Sequence, residues 1–211
     1  MTRCRRLRVG YDRRVHDELV LLAMWRAGDK SAGGKLFERF YDALYRFFAA
    51  KVSGDVEDLI QQTVLACVEG RERIESFRAY LFGTARRILY KHFEGRERFD
   101  ALASSLEDLA PSPGRLVDGE RGSRLLVAAL RRIPLELQIL LELSYREGLS
   151  QRELAEATGL TKGMVQTRIE RARQLLRREL GALASGQELD AAVVDLERWA
   201  PSYVLPHDDR S

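Results

Sequence analysis

Apolar side chains recur along this chain at steps of three and four residues nearly everywhere, and no alternating stretch bounded by turn residues marks a strand. The pattern predicts an all-α protein. Leu36, Phe37, Phe40, Tyr41, Leu44, Phe47 and Phe48 form the stripe of one long helix, which Gly28 to Gly34 separates from an earlier helix over Asp17 to Ala27. Asp55 is placed to cap a third helix, with Val56, Leu59, Ile60, Thr63, Val64 and Cys67 on its inner face and Gly70 at its end. A fourth helix runs from about Phe77 to Phe93. Its inner face carries Leu81, Phe82, Ala85, Ile88 and Leu89, while Tyr80, Thr84, Arg87 and Lys91 align outward.

The period lapses between Phe99 and Ser123, where Pro111-Ser112-Pro113-Gly114 suits a flexible linker. The chain therefore divides into an N-terminal arm (1–16), a helical domain (17–98), an acidic linker (99–122), a second helical domain (123–180) and a C-terminal extension (181–211). In the second domain a helix over Arg124 to Arg132 is followed by one that starts at Pro134 or Leu135 and stops at Gly148. Ser150 and Glu153 then have the spacing of a capping box, in which each end satisfies an orphan amide of the other. The helix they open closes at Thr158-Gly159, and Thr161 caps another that runs to about Leu180. Small Ala155 at the crossing, Gly159 in the turn, and Leu154, Leu160, Val165 and Ile169 as shared core make this a helix-turn-helix of the DNA-binding type.

The net charge is only +3 over 211 residues, but it is unevenly placed. Met1 to His16 holds six arginines against Asp12, Arg71 to Arg98 eight basic residues against four acidic, and Lys162 to Leu180 six against two. The linker and the C-terminal extension are acidic. A polyanion within a Debye length meets these basic blocks locally, so nucleic acid is a natural partner.

Composition and motifs exclude other classes. At 45% hydrophobic and 32% charged residues the chain is too apolar for disorder and too charged for a membrane protein, and its longest uncharged apolar run, Leu19 to Trp25, is too short to span a bilayer. No signal peptide follows the Arg-rich start. Cys4 and Cys67 lie far apart without metal-ligand spacing, so neither a zinc site nor a disulfide is expected, and a cytoplasmic, reduced protein without cofactor is. Adjacent Glu57 and Asp58 diverge by about 100° on their helix and no Gly-rich phosphate loop is present, which argues against an enzyme or a small-molecule substrate.

With Val165, Ile169, Ala172 and Leu176 facing inward on the last helix, Gly163, Thr167, Glu170, Arg171 and Gln174 face out, flanked by Gln166 and Arg168. A recognition helix sets N-terminal residues of this kind on base edges, arginine on guanine and glutamine on adenine. Arg173, Arg177 and Arg178 suit phosphates.

At this point the residues resemble a known family. The stretch Leu149 to Leu180 is similar to the fourth domain of bacterial extracytoplasmic-function sigma factors, the part that reads the minus thirty-five promoter element. Asp55 to Val64 resembles the acidic second-domain segment of that family, and Phe77 to Phe93 the helix that opens and reads the minus ten element. The resemblance implies two sigma domains, core RNA polymerase as partner through its beta-prime clamp helices and beta flap, promoter DNA, and an anti-sigma protein as a further candidate partner. It implies minus thirty-five contacts from Lys162, Gly163, Gln166, Thr167, Arg168, Glu170, Arg171 and Arg173, and minus ten contacts from Arg71, Ser76, Phe77, Tyr80, Arg87 and Lys91. Asp55, Glu57, Asp58, Gln61 and Gln62 would bind polymerase. Arg87 and Lys91 stand where the family usually has asparagine and often an acidic residue, and Tyr80 where it usually has tryptophan.

The alternatives are a sigma-like decoy that binds only an anti-sigma protein, and a two-domain helix-turn-helix regulator. Basic recognition residues argue against the first, and the acidic face of the third helix against the second. The tail adds an amphipathic pattern from Gln187 to Ala200, with Leu189, Ala192, Val193, Leu196 and Trp199 on one side. Such a helix would cap the second domain, brake DNA binding by covering the recognition face, or offer a partner site.

Overall fold

The structure, a computed structural model, describes residues 16–94, 99–109 and 121–183, with no strand among them. The N-terminal arm, the Pro-rich part of the linker and the amphipathic tail lie outside the described residues. Helix α1 spans residues 16–26 and ends at Gly28, whose φ of +105° is a left-handed value that glycine adopts without strain.

Helix α2 (Lys30–Ala49) begins within the glycine-rich stretch that the sequence marks as a break. Asp29 explains the difference, because its carboxylate accepts from the amides of Ser31 and Ala32 at 2.8 and 3.2 Å and starts the helix early. Gly33 is inside α2 for a packing reason: a Cβ there would sit 2.5 Å from the indole ring of Trp25 on α1. Helix α3 (Val56–Glu69) buries the expected face, except that Val64 is half-buried. Asp55 makes no side-chain cap and sits at φ 58°, ψ 16°, so its expected capping role is replaced by a left-handed turn that an Asp tolerates. A 3-10 turn (Arg71–Arg73) leads to helix α4 (Phe77–Glu94). Thr84, expected outward on α4, is buried, because the α3–α4 contact reaches it.

Residues 99–109, read from sequence as linker, are packed. Ser105 and Asp108 form a reciprocal cap, the Ser105 hydroxyl donating to the carboxylate at 2.6 Å, which opens the short helix α5 (Leu106–Leu109). Leu106 is fully buried, and the amides of Leu135 and Glu136 donate to the carbonyls of Ser104 and Ala101 at 2.9 Å. The apolar side chains here are too few to show a period, yet two of them reach the core.

Helix α6 (Arg121–Arg132) precedes α7 (Leu135–Leu141), which follows Pro134 and widens into a π turn (Glu142–Arg146) before Gly148. Every side chain of α7 is buried. Helix α8 (Gln151–Thr158) carries the expected capping box, Gly159 takes φ 73°, and α9 (Lys162–Leu183) starts where Thr161 accepts from the Met164 amide at 3.3 Å. Val165, Ala172, Leu176 and Leu180 are buried on α9. Helices α6 and α7 pack on α9, α3 packs on α4, and α4 packs along α8, so the two helical regions share one continuous apolar core.

Candidate nucleic-acid and polymerase interfaces

Because the capping box, the left-handed Gly159 and the Thr161 cap fix the angle between α8 and α9, the first turns of α9 stand free of the core. Lys162, Gly163, Gln166, Thr167, Glu170 and Arg171 are all exposed there. The Thr167 hydroxyl donates to the Gly163 carbonyl at 3.0 Å, and Gln174 donates to Glu170 at 3.3 Å. Two expected contacts point elsewhere. Arg168 pairs at 3.0 Å with Glu136 of α7, a carboxylate only 2% exposed, and Arg173 lies over the Tyr145 ring with its guanidinium 3.7 Å from Glu170. Met164, exposed beside the polar set, was not signalled by any polar pattern; an apolar side chain at such a place can meet a thymine methyl.

The expected polymerase face of α3 is assembled as a unit. Asp55, Glu57, Asp58, Gln61 and Gln62 are all exposed, and Gln62 donates to Asp58 at 2.7 Å one turn away. Exposed Leu65 and Val68 extend this surface, and a groove between α2 and α3 brings in Tyr41 and Asp42. Sequence reasoning placed Tyr41 in the α2 stripe, yet it is 47% exposed. The acidic rim with exposed apolar side chains is the surface expected of a face that docks on another protein.

The minus ten set is brought together only in part. Arg87 and Lys91 are exposed on α4, and Arg71 is half-buried in the 3-10 turn. Arg87 donates to Thr84 at 2.9 Å, and Thr84 in turn meets the thiol of Cys67 beneath it. Burial pushes that thiol up to about 12, so it stays neutral. Phe77 is core: 1% exposed, it packs edge-on against Trp25 and Phe37 with centroids 6.0 and 5.3 Å apart, and cannot take a base. Tyr80 is half-buried, its ring lying over Gly70 so closely that a Cβ there would fall 1.9 Å from the phenol oxygen. Ser76 is half-buried and donates to Glu153 of α8 at 3.3 Å.

Between the two helical regions lies a belt of charge that the sequence did not single out. Lys51, its side chain wholly buried after α2, pairs with Glu142 of the π turn and donates to the Phe47 carbonyl at 2.8 Å. Burial lowers the Lys51 pKa, and Glu142 offsets part of that shift. Arg78 pairs with Glu153 at 3.1 Å and lies 3.7 Å from Glu18, whose carboxyl burial raises while Arg78 partly restores it. Burial also raises Glu153, but Arg78 and the Ser150 amide and hydroxyl outweigh it, so that carboxyl ends below its ordinary value. Arg86 reaches Glu136 at 2.9 Å, and Tyr90, whose phenol burial raises, donates to the same carboxylate.

The chain thus combines a capped helix-turn-helix, α8 and α9, with a separate exposed acidic face on α3. Residues 36–99 match the family model for sigma-70 region 2 and residues 123–176 the model for sigma-70 region 4, in that order. The chain belongs to the ECF RNA polymerase sigma factors. It is 30% identical to SigF of Caulobacter vibrioides, over 63% of this chain and 76% of that one. To SigM of Mycobacterium tuberculosis it is 28% identical, covering 82% and 90%, and to BldN of Streptomyces coelicolor 29%, covering 77% and 65%. Among solved structures, CnrH in complex with the cytosolic domain of CnrY is similar, with 26% identity and a TM-score of 0.57 over 80% of this chain and 99% of that one. No helix among the described residues is long and apolar enough to cross a membrane.

Proposed function

We propose that this sigma factor acts by binding alone, as a dissociable cytoplasmic subunit that docks on core RNA polymerase through α3 and the α2–α3 groove and directs it to promoters through α9 and α4. The observation that carries the reading is the exposed face of α9, where Lys162, Gln166, Thr167 and Arg171 stand together on a helix whose start is fixed by caps. Four side chains able to meet base edges and phosphates on one rigid element are what direct readout of the minus thirty-five element needs. Arg87, Lys91 and Arg71 would line the path of the minus ten strand, with Tyr80 at its edge, and Phe77 and Ser76 act behind them as supports. The exposed acidic face of α3 would meet the clamp helices of the beta-prime subunit. The resemblance to CnrH, solved with the cytosolic domain of CnrY, supports an anti-sigma protein as a further partner.

Run-off transcription with purified core polymerase tests the reading. Addition of the chain to a template library drawn from its own genome should give discrete start sites absent with core polymerase alone. Identical transcripts with and without the chain would reject it.

A further inference from the structure

Among the described residues of 121–183, Met164 is the one large apolar side chain left exposed, with 45% of its surface open. It stands in the first turn of α9, where the Thr161 hydroxyl accepts from its amide at 3.3 Å, so the root of the side chain is fixed by the cap. Met164, Thr167 and Arg171 follow at i, i+3 and i+7 and form one row along the exposed face. The Thr167 hydroxyl donates to the Gly163 carbonyl at 3.0 Å. That bond commits the hydroxyl to the helix's own backbone and leaves the methyl as the part of the side chain offered outward. Gly163 lies on the same face one turn before Thr167. Its φ is not positive, and nothing lies within 4 Å of where a Cβ would stand, so neither the turn nor the packing asks for glycine there.

We propose that Met164 and the Thr167 methyl together read the C5 methyl of a thymine in the minus thirty-five element, with Gly163 letting the helix approach the base edge closely. This rests on the sigma reading proposed above. It adds Met164 to the base-reading residues and names a base that they select.

In the major groove thymine alone presents a methyl group, beside its O4 acceptor. Arginine, lysine and glutamine can bond acceptors such as O4, but those bonds are indifferent to the methyl. Only an apolar contact senses it. Met164 supplies that contact with a flexible, polarizable thioether, and Thr167 supplies a second methyl one turn on. The surroundings favour a base edge over a protein partner, because Lys162, Gln166, Thr167 and Arg171 are the exposed neighbours and an interface core needs a continuous apolar patch. Gly163 points the same way. Glycine in a helix is unfavourable relative to alanine, and at a place with room for a Cβ its smallness serves an approach from outside the chain.

The test uses the full chain and a duplex carrying the minus thirty-five sequence found by run-off, with affinity read by fluorescence anisotropy at fixed salt. Each thymine of the element, on both strands, is replaced in turn by deoxyuridine, which removes the C5 methyl and keeps every hydrogen-bonding group. One position should cost wild type about threefold to fivefold, the equivalent of the roughly 0.8 kcal/mol that burying one such group contributes. Met164→Ala should bind the thymine duplex more weakly by about the same factor, and its uracil penalty at that position should fall to about twofold or less. Thr167→Val, which keeps a methyl and gives up the hydroxyl, should bind like wild type, whereas Thr167→Ser should lose affinity. Gly163→Ala should raise the melting temperature by about 1 to 4 °C while binding the duplex more weakly. Uracil tolerated at every position would overturn the proposal, as would an element without thymine on either strand, or equal uracil penalties in wild type and Met164→Ala. Equal losses in Thr167→Val and Thr167→Ser would overturn the role of the methyl, and undiminished binding by Gly163→Ala that of close approach. Normal DNA binding by Met164→Ala with weaker binding to core polymerase would assign the side chain to a protein contact and overturn the proposal too. Absence of run-off start sites would reject the sigma reading along with this one, whereas discrete start sites with a flat uracil scan would reject this one alone.

Discussion

Cys67 offers a stability prediction with its sign fixed by linkage. Its side chain is fully buried on the inner face of α3, beside Thr84 of α4, and burial raises its thiol from an ordinary 9.0 to about 12. An acid whose folded pKa lies above its unfolded one contributes fully below the unfolded value, and the contribution is lost as pH rises from there towards the folded value. The window is therefore alkaline, from about pH 9 to about pH 12. At pH 10 the unfolded chain gains about 1 to 2 kcal/mol by ionising a thiol that the folded chain keeps neutral. Replacing Cys67 by alanine should cost about 1 to 2 kcal/mol at pH 7.5, through lost packing and a small cavity. Urea unfolding of wild type and Cys67→Ala at pH 7.5 and pH 10 reads both quantities. All other titrations are common to the two proteins and cancel in the difference, so the advantage of wild type should shrink by about 1 to 2 kcal/mol at pH 10. A difference that is the same at both pH values would refute the reasoning.

Three further outcomes are expected. Asp58→Arg should weaken association with core polymerase mainly through a slower on-rate while leaving the melting temperature unchanged, because Asp58 is exposed and its only described partner is Gln62; surface plasmon resonance and thermal unfolding check this, and an unaltered on-rate would count against the α3 face. Arg171→Ala should lower affinity for the minus thirty-five duplex by about 1 to 3 kcal/mol and relax sequence preference, whereas Arg177→Ala should weaken all sequences alike; competition binding against scrambled duplexes separates the two. Gly159→Val places a β-branched side chain at φ 73° and should destabilise the chain by about 1 to 3 kcal/mol in urea unfolding, with no loss if another residue tolerates the turn.

What the sequence disclosed was what local spacing encodes. The α8 capping box, the Gly159 turn and the Thr161 cap lie within a dozen residues, and their chemistry needs nothing from elsewhere in the chain. The long stripes of α3, α4 and α9 were legible for the same reason. The start of α2 was not, because Gly33 looks like a helix breaker until Trp25 is seen to require its missing Cβ. Nor could α4 reveal that Phe77 faces the Trp25 and Phe37 rings and not a base, since aromatic residues suit both places. The acidic face of α3 and the basic face of α9 were found because solvated polar positions fall on one side of a helix.

The charged belt escaped because its partners lie far apart in sequence, 91 residues for Lys51 and Glu142 and 75 for Arg78 and Glu153. No window holds both members, and each alone looks like a solvated charge. The consequence reaches back to the reading of the basic block from Arg71 to Arg98. Two of its cations, Arg78 and Arg86, are bound to carboxylates of the other region, so they are not available to phosphates. Charge counted along the sequence therefore overstates the cation density that DNA meets on the free chain. The salt dependence of DNA binding, which follows the number of phosphates neutralised, should therefore be shallower than that count implies.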